Sequence, residues 1–258
     1  MPLLTQWLPI LGLCMLRPLG VFLLMPLFSS ANLGGMLARN ALLMVIALPM
    51  LPVYTEWHMP ANGVLGYLLL AAGELCIGLV IGFCAAIPFW AMDMAGFVID
   101  TMRGSSMAAI FNPMLGEQSS ILGLLFTQVF NVLFLMSGCF NELITAIYQS
   151  YVTLPPGGTF TYGVGGLAFM ARQWQLMYEL CLRFAMPAIV IIMLVDMSMG
   201  LINRSAQQLN VFFLAMPIKS GFAILMLIIS FNFAFGSVRE YSQNFTHLTQ
   251  QLLGVFSG

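Results

Sequence analysis

Charge is the scarcest thing in this chain. Only 7% of its 258 residues are Asp, Glu, Lys or Arg, eight basic against nine acidic, and most stand singly. An ordinary soluble domain carries about 25%. The scarcity excludes a basic patch for nucleic acid and a polybasic run for anionic lipid heads. Histidine is almost absent as well, because His58 and His247 both lie outside the long apolar runs. No Ser/His dyad is available within those runs, and Ser137-Gly138 and Ser220-Gly221 lack the context of a nucleophile elbow. There is no HExxH, no GxxxxGK[ST] and no His/Cys/Asp set at metal-ligand spacing. Cys14, Cys76, Cys84, Cys139 and Cys181 are isolated without CxxC spacing and read as small buried hydrophobes. The expectation is no enzyme, no cofactor, no metal and no nucleic-acid partner. A polar linker long enough to divide the chain is missing too, so one membrane domain over residues 1–258 is expected. The amino terminus lacks a basic region before its first apolar run and reads as a first helix, not a removed signal.

What is abundant is apolar: 60% of residues are hydrophobic and mean hydropathy is +0.97. Runs able to supply membrane helices cover residues 8–28, 41–54, 64–92, 121–148, 180–202 and 211–235, an approximate count of six because 41–54 is short and 64–92 overlong. The predicted class is an all-α polytopic membrane protein. Pro9, Pro18, Pro26, Pro49, Pro52, Pro88, Pro187 and Pro217 fall in or beside these runs, which predicts kinked or broken helices. In hydrocarbon the freed carbonyls need partners from neighbouring protein. Gly78, Gly82 and Ala86 form a small-residue series that admits a second helix backbone. Residues 153–166 read as a water-exposed turn. The tail, residues 237–258, sets Tyr241, Phe245, Leu248, Leu252 and Phe256 on one helical face, suited to a membrane surface or a partner.

The few charges inside apolar runs are the best functional pointers. Glu74, Asp93, Asp196, Arg204 and Lys219 would each cost about 2.5–3.5 kcal/mol facing lipid at a helix centre, so they should face protein or water. Asp93 and Asp100 share a helical face, with Arg103 placed to pair with Asp100. Two readings stay open on these residues: a conduit for ions or solute, with Glu74 and Asp196 as coupling carboxylates, or ion pairs and subunit contacts that fix an assembly. The two halves contain no repeated motif of the kind a transporter often shows.

Between apolar runs, "FVIDTMRGSSMAAIFNPMLGEQSSIL" mixes charges, glycines, serines and an Asn-Pro turn. With its preceding run "ELCIGLVIGFCAAIPFWAMDMAG" it resembles the FliR/SctT (SpaR, YscT, EscT) family of type III secretion export apparatuses. So do "DMSMGLINRSAQQLNVFFLAMPIKSGFAIL" and, near the amino terminus, "RPLGVFLLMPLFSS" and "ARNALLMVIALPM", in the expected order. The wording "IDTMRG" and "NVFFLAMPIKSG" is closer to the virulence branch than to the flagellar one. Asn112 stands where the family commonly has Asp before Pro113, and Gln207 where it commonly has Pro. The resemblance implies a single copy in a core export gate in the bacterial inner membrane. Its implied partners are two smaller membrane subunits (FliP/SctR-like and FliQ/SctS-like), a switch subunit (FlhB/SctU-like), an export-gate subunit (FlhA/SctV-like), inner rod or needle proteins, and unfolded secreted substrates. It also implies that residues 103–118 project into the pore as a plug, carried here by Arg103, Gly104, Ser105, Ser106, Met107, Ala108, Ala109, Ile110, Phe111, Asn112, Pro113, Met114, Leu115 and Gly116. Small side chains let backbone fill a narrow lumen, and Ser119 or Ser120 can cap the returning helix.

Overall fold

In hydrocarbon a backbone must satisfy its own polar groups, and the helix does so locally. The computed structural model describes residues 2–29, 32–52, 63–105, 120–156, 164–205 and 211–243. Those residues form seven α-helices and two short 3-10 turns, with no strand among them. The helices are α1 (Pro2–Leu24), α2 (Met36–Ala47), α3 (Gly63–Arg103), α4 (Ile121–Met136), α5 (Cys139–Thr153), α6 (Val164–Ser205) and α7 (Val211–Gln243). The all-α class is as expected.

The spans differ from the six apolar runs. Among the described residues two helices are long and apolar enough to cross a membrane, Val64–Arg103 and Gly165–Ser205, or three segments if the bent pair α4 and α5 counts as one. Runs 64–92 and 180–202 extend into helices of 41 and 42 residues because nothing in their flanks stops helix propagation. Run 121–148 is divided at Gly138, whose φ of +81° lies in the left-handed region that favours glycine. Run 41–54 lies in α2, which begins at Met36, and in a 3-10 turn, Leu48–Met50, that contains Pro49.

Proline does less breaking than expected. Helices continue through Pro9, Pro18, Pro88, Pro187 and Pro217, while Pro26 opens a 3-10 turn. The partner for one freed carbonyl is visible. Pro18 has no N–H to give Cys14, and the Tyr151 hydroxyl donates to the Cys14 carbonyl at 3.2 Å instead. Tyr148 serves the Ile46 carbonyl at the end of α2 in the same way, at 3.2 Å.

The chain divides into two compact units. The first holds α1, α2, α3 up to Ile87, α5 and α6 up to Trp174. Here α1 meets α3 backbone to backbone. A Cβ on Gly20 would lie 2.7 Å from the Leu79 nitrogen, one on Gly78 2.9 Å from the Arg17 Cα, and one on Gly82 2.8 Å from the Val21 Cα. The second unit holds α3 from Pro88, α4 up to Leu133, and α6 from Gln175 through α7. Its α3 and α4 cross at Gly96 and Gly123, where a Cβ on Gly96 would overlap the Gly123 backbone. Edge-on aromatic pairs, Phe89 with Phe130 at 4.5 Å and Phe126 with Phe184 at 4.9 Å, pack α3 and α6 against α4. Val195, Met199, Ala215 and Ile218 join α6 to α7.

Gly78→Ala is expected to destabilise the protein by about 1–3 kcal/mol, because neither backbone can yield. Gly73→Ala, on the same helix with nothing within 4 Å, is expected to be neutral or better. Thermal unfolding of the two variants in mild detergent checks this, and similar melting for both would contradict the backbone contact.

Candidate functional site

The end of α3 and the start of α4 meet at one residue, Asp100. Gly104, at φ +92°, terminates α3. Its N–H bonds the Thr101 carbonyl at 3.1 Å, and the Ser105 N–H bonds the Asp100 carbonyl at 3.0 Å, the paired pattern of a glycine-terminated helix. The Ser105 hydroxyl adds a second bond to that carbonyl at 2.8 Å. On the other side Ser120 caps α4, accepting from the Gly123 N–H at 2.8 Å. The Ser120 hydroxyl donates to Asp100 Oδ2 at 2.7 Å, and the Leu122 N–H donates to the same oxygen at 3.0 Å. A carboxylate at this point also suits the positive end of the α4 dipole. The other oxygen, Oδ1, lies 2.8 Å from Arg103 Nη2, an ion-pair distance without hydrogen-bond geometry. Arg103 Nε is buried with no hydrogen-bond partner among the described residues. Ser105 and Ser120, which bracket residues 106–119, are therefore both bonded to Asp100.

The remaining charges divide. Glu74 is 2% exposed, and its partner is Arg17, 0% exposed, which the sequence reading did not select. Arg17 Nε contacts Glu74 Oε2, and Nη2 donates to Glu74 Oε1 at 3.0 Å. The guanidinium also donates to Ser150 Oγ at 3.1 Å and the Leu154 carbonyl at 2.7 Å, and lies 4.1 Å over the Tyr151 ring. Arg17 was findable: an arginine inside an apolar run requires a counter-charge, and Glu74 was an unmatched acid in another. Lys219 pairs with Asp196, joining α7 to α6. Asp93 and Arg204 are exposed, and neither has an ion-pair partner among the described residues. Gly96 and Gly123 were also missed, since isolated glycines in apolar helices carry no pattern to single them out. Among the described residues no His/Cys/Asp/Glu group could hold a metal.

Residues Ser106, Met107, Ala108, Ala109, Ile110, Phe111, Asn112, Pro113, Met114, Leu115 and Gly116 lie outside the described residues, as do Ser119, Gln207, His58, His247, residues 157–163 of the turn and residues 244–258 of the tail.

Residues 8–245 match the family of bacterial export proteins, family 1. The chain belongs to this family. It is 45% identical over 232 residues to the secretion system apparatus protein SsaT of Salmonella typhimurium, covering 89% of this chain and 90% of that protein. It is 37% identical over 224 residues to the Yop proteins translocation protein T of Yersinia pestis, covering 86% of each. It is 31% identical to the flagellar biosynthetic protein FliR of Bacillus subtilis over 177 residues, 67% of this chain and 68% of that one. The family drawn from the central motifs is thus the family found. The first motif begins at Glu74 in the first unit and continues across the α3–α4 junction, and the other, Asp196 onward, spans the α6–α7 junction in the second unit.

Removing Glu74 leaves a buried guanidinium without its counter-charge. Glu74→Ala is expected to cost about 3–5 kcal/mol, read as loss of folded protein after detergent extraction. Glu179→Ala breaks the exposed pair with Arg183 and is expected to shift stability by about 1 kcal/mol or less. Equal tolerance of the two would show that the Arg17 network carries no stability.

Proposed function

We propose that this chain is the export-gate subunit of a type III protein secretion system, one copy in a multi-subunit pore of the bacterial inner membrane that passes unfolded substrates. It acts by shape and occlusion, without catalysis or cofactor. Its neighbours in that reading are FliP/SctR-like, FliQ/SctS-like, FlhB/SctU-like and FlhA/SctV-like subunits. Family membership over residues 8–245 supports the export role, and the apolar helices support a membrane location.

Within that role, residues 103–118 are the pore plug. The observation that carries this assignment is the convergence of both flanks on Asp100. Those bonds hold Ser105 and Ser120, the flanks of the segment, together at the α3–α4 junction, which suits a segment that leaves and returns there. Polar backbone at membrane depth is tolerated only where it is buried in protein or lines a cavity. Arg103 Nε, beside this junction, is buried with no hydrogen-bond partner among the described residues. A small-solute transporter, the other reading of the intramembrane carboxylates, is disfavoured because Glu74 is buried against Arg17 and Asp196 is paired with Lys219.

Deleting Met107–Phe111 is expected to leave the complex assembled, because α3 and α4 hold each other through Gly96, Gly123 and Asp100. The membrane should then leak ions or small dyes. Glu117→Gln should be mild, and bulky replacements at Ser106 or Ala109 should impair secretion by jamming. Co-purification of the complex and dye permeability of cells are measured together. Intact assembly with no leak and normal secretion would make the segment an ordinary connector.

A further inference from the structure

Asp93 is an exposed carboxylate just past the apolar run 64–92, inside the candidate membrane span Val64–Arg103. It lies roughly 15 Å along α3 from Arg103 at 1.5 Å per residue, and its short side chain cannot reach the membrane surface as a lysine's can. It does not swing freely. A Cβ on Gly123 would lie 2.7 Å from Asp93 Oδ1 and 3.0 Å from Ser120 Oγ, so the carboxylate rests against the glycine of α4 with the Ser120 hydroxyl beside it. That hydroxyl has a single hydrogen, and it is committed to Asp100.

The rest of the face offers nothing either. Phe97, one turn on, is 48% exposed and apolar. Thr101, a further turn on, is exposed but gives its hydroxyl hydrogen to the Phe97 carbonyl at 2.8 Å. Among the described residues no cation pairs with Asp93. The adjoining residues 106–119 contain no lysine, arginine or histidine. Among the described residues the face made by Asp93, Phe97 and Thr101 is therefore apolar with one carboxylate that no cation pairs with. Lipid tails cannot match that charge.

We infer that this face is the seat of a membrane-embedded helix from another subunit, and that this helix presents a lysine or arginine to the Asp93 carboxylate. The inference rests on the reading of the chain as one member of a membrane assembly. An ion pair formed at that depth is desolvated on both sides, so it selects the partner's register as well as holding it.

The test co-expresses the chain with the two smaller membrane subunits and measures complex recovered in mild detergent. Asp93→Lys is expected to lower recovery by at least about tenfold, with Asp93→Asn intermediate, while the isolated variants melt like the parent because the side chain is exposed. Selection for restored secretion from Asp93→Lys is expected to return an acidic residue at a lysine or arginine in a membrane helix of another subunit. A single-cysteine variant, Asp93→Cys with the native cysteines replaced, is expected to react with maleimide when alone and to be protected in the complex. Normal recovery of the Asp93 variants together with equal labelling in complex and isolated chain would overturn the inference and leave the assembly reading standing. Suppressors at Arg39, Arg172 or Arg204 of this chain would also overturn it, since they would point to self-pairing or to a second copy. Failure of the parent chain itself to co-purify would overturn the assembly reading, and the inference with it.

Discussion

Arg17 has no surface open to solvent, and the first unit is arranged around that fact. A guanidinium out of water must direct its fork of donors at acceptors or lose far more than packing returns. Three helices meet the demand: α1 carries the charge, α3 brings Glu74, and α5 brings Ser150, the Leu154 carbonyl and the Tyr151 ring. The glycine contacts belong to the same arrangement. Gly78 sits one turn beyond Glu74 and receives the backbone of Arg17 itself. The residue that supplies the charge is thus the one brought close enough by the missing Cβ to reach the acid. Apolar side chains in these places could pack in several registers, whereas this network is complete in one.

The second unit meets the same constraint with less depth. Asp100 is buried, and it distributes its acceptors among a hydroxyl, a helix N–H and a guanidinium. Asp196 and Lys219 pair across α6 and α7. The close crossing of α3 on α4 at Gly96 and Gly123 is what lets a carboxylate on one helix cap the next. Helix termination, helix initiation and charge pairing therefore meet at the junction that brackets residues 106–119. A family motif that reads as "IDTMRG" followed later by "SSIL" is, in physical terms, an acid, a left-handed glycine and a capping serine placed to close on one another.

Much was legible without coordinates. Scarce charge and abundant apolar residues imply helices in a membrane, because no other local structure satisfies the backbone there. Glu74 stood out for the cost of leaving it unmatched, and the pairing of Asp100 with Arg103 followed from helical spacing alone. The behaviour of proline was not legible. Pro18 read as a kink or a break, and α1 passes through it with Tyr151, far along the chain, supplying the donor that Cys14 loses.

Sequence by itself determined the class and the family, since each of these depends on composition, local period or motif order. Tertiary structure alone decided that Glu74 belongs to Arg17, that Gly96 faces Gly123, that Ser120 and Ser105 share Asp100, and that Asp93 has no ion-pair partner among the described residues. The physical reason is range. A helix and its spacing are set by neighbours within a few residues, but the partner of a charge or of a missing Cβ is whichever distant segment the packing brings against it.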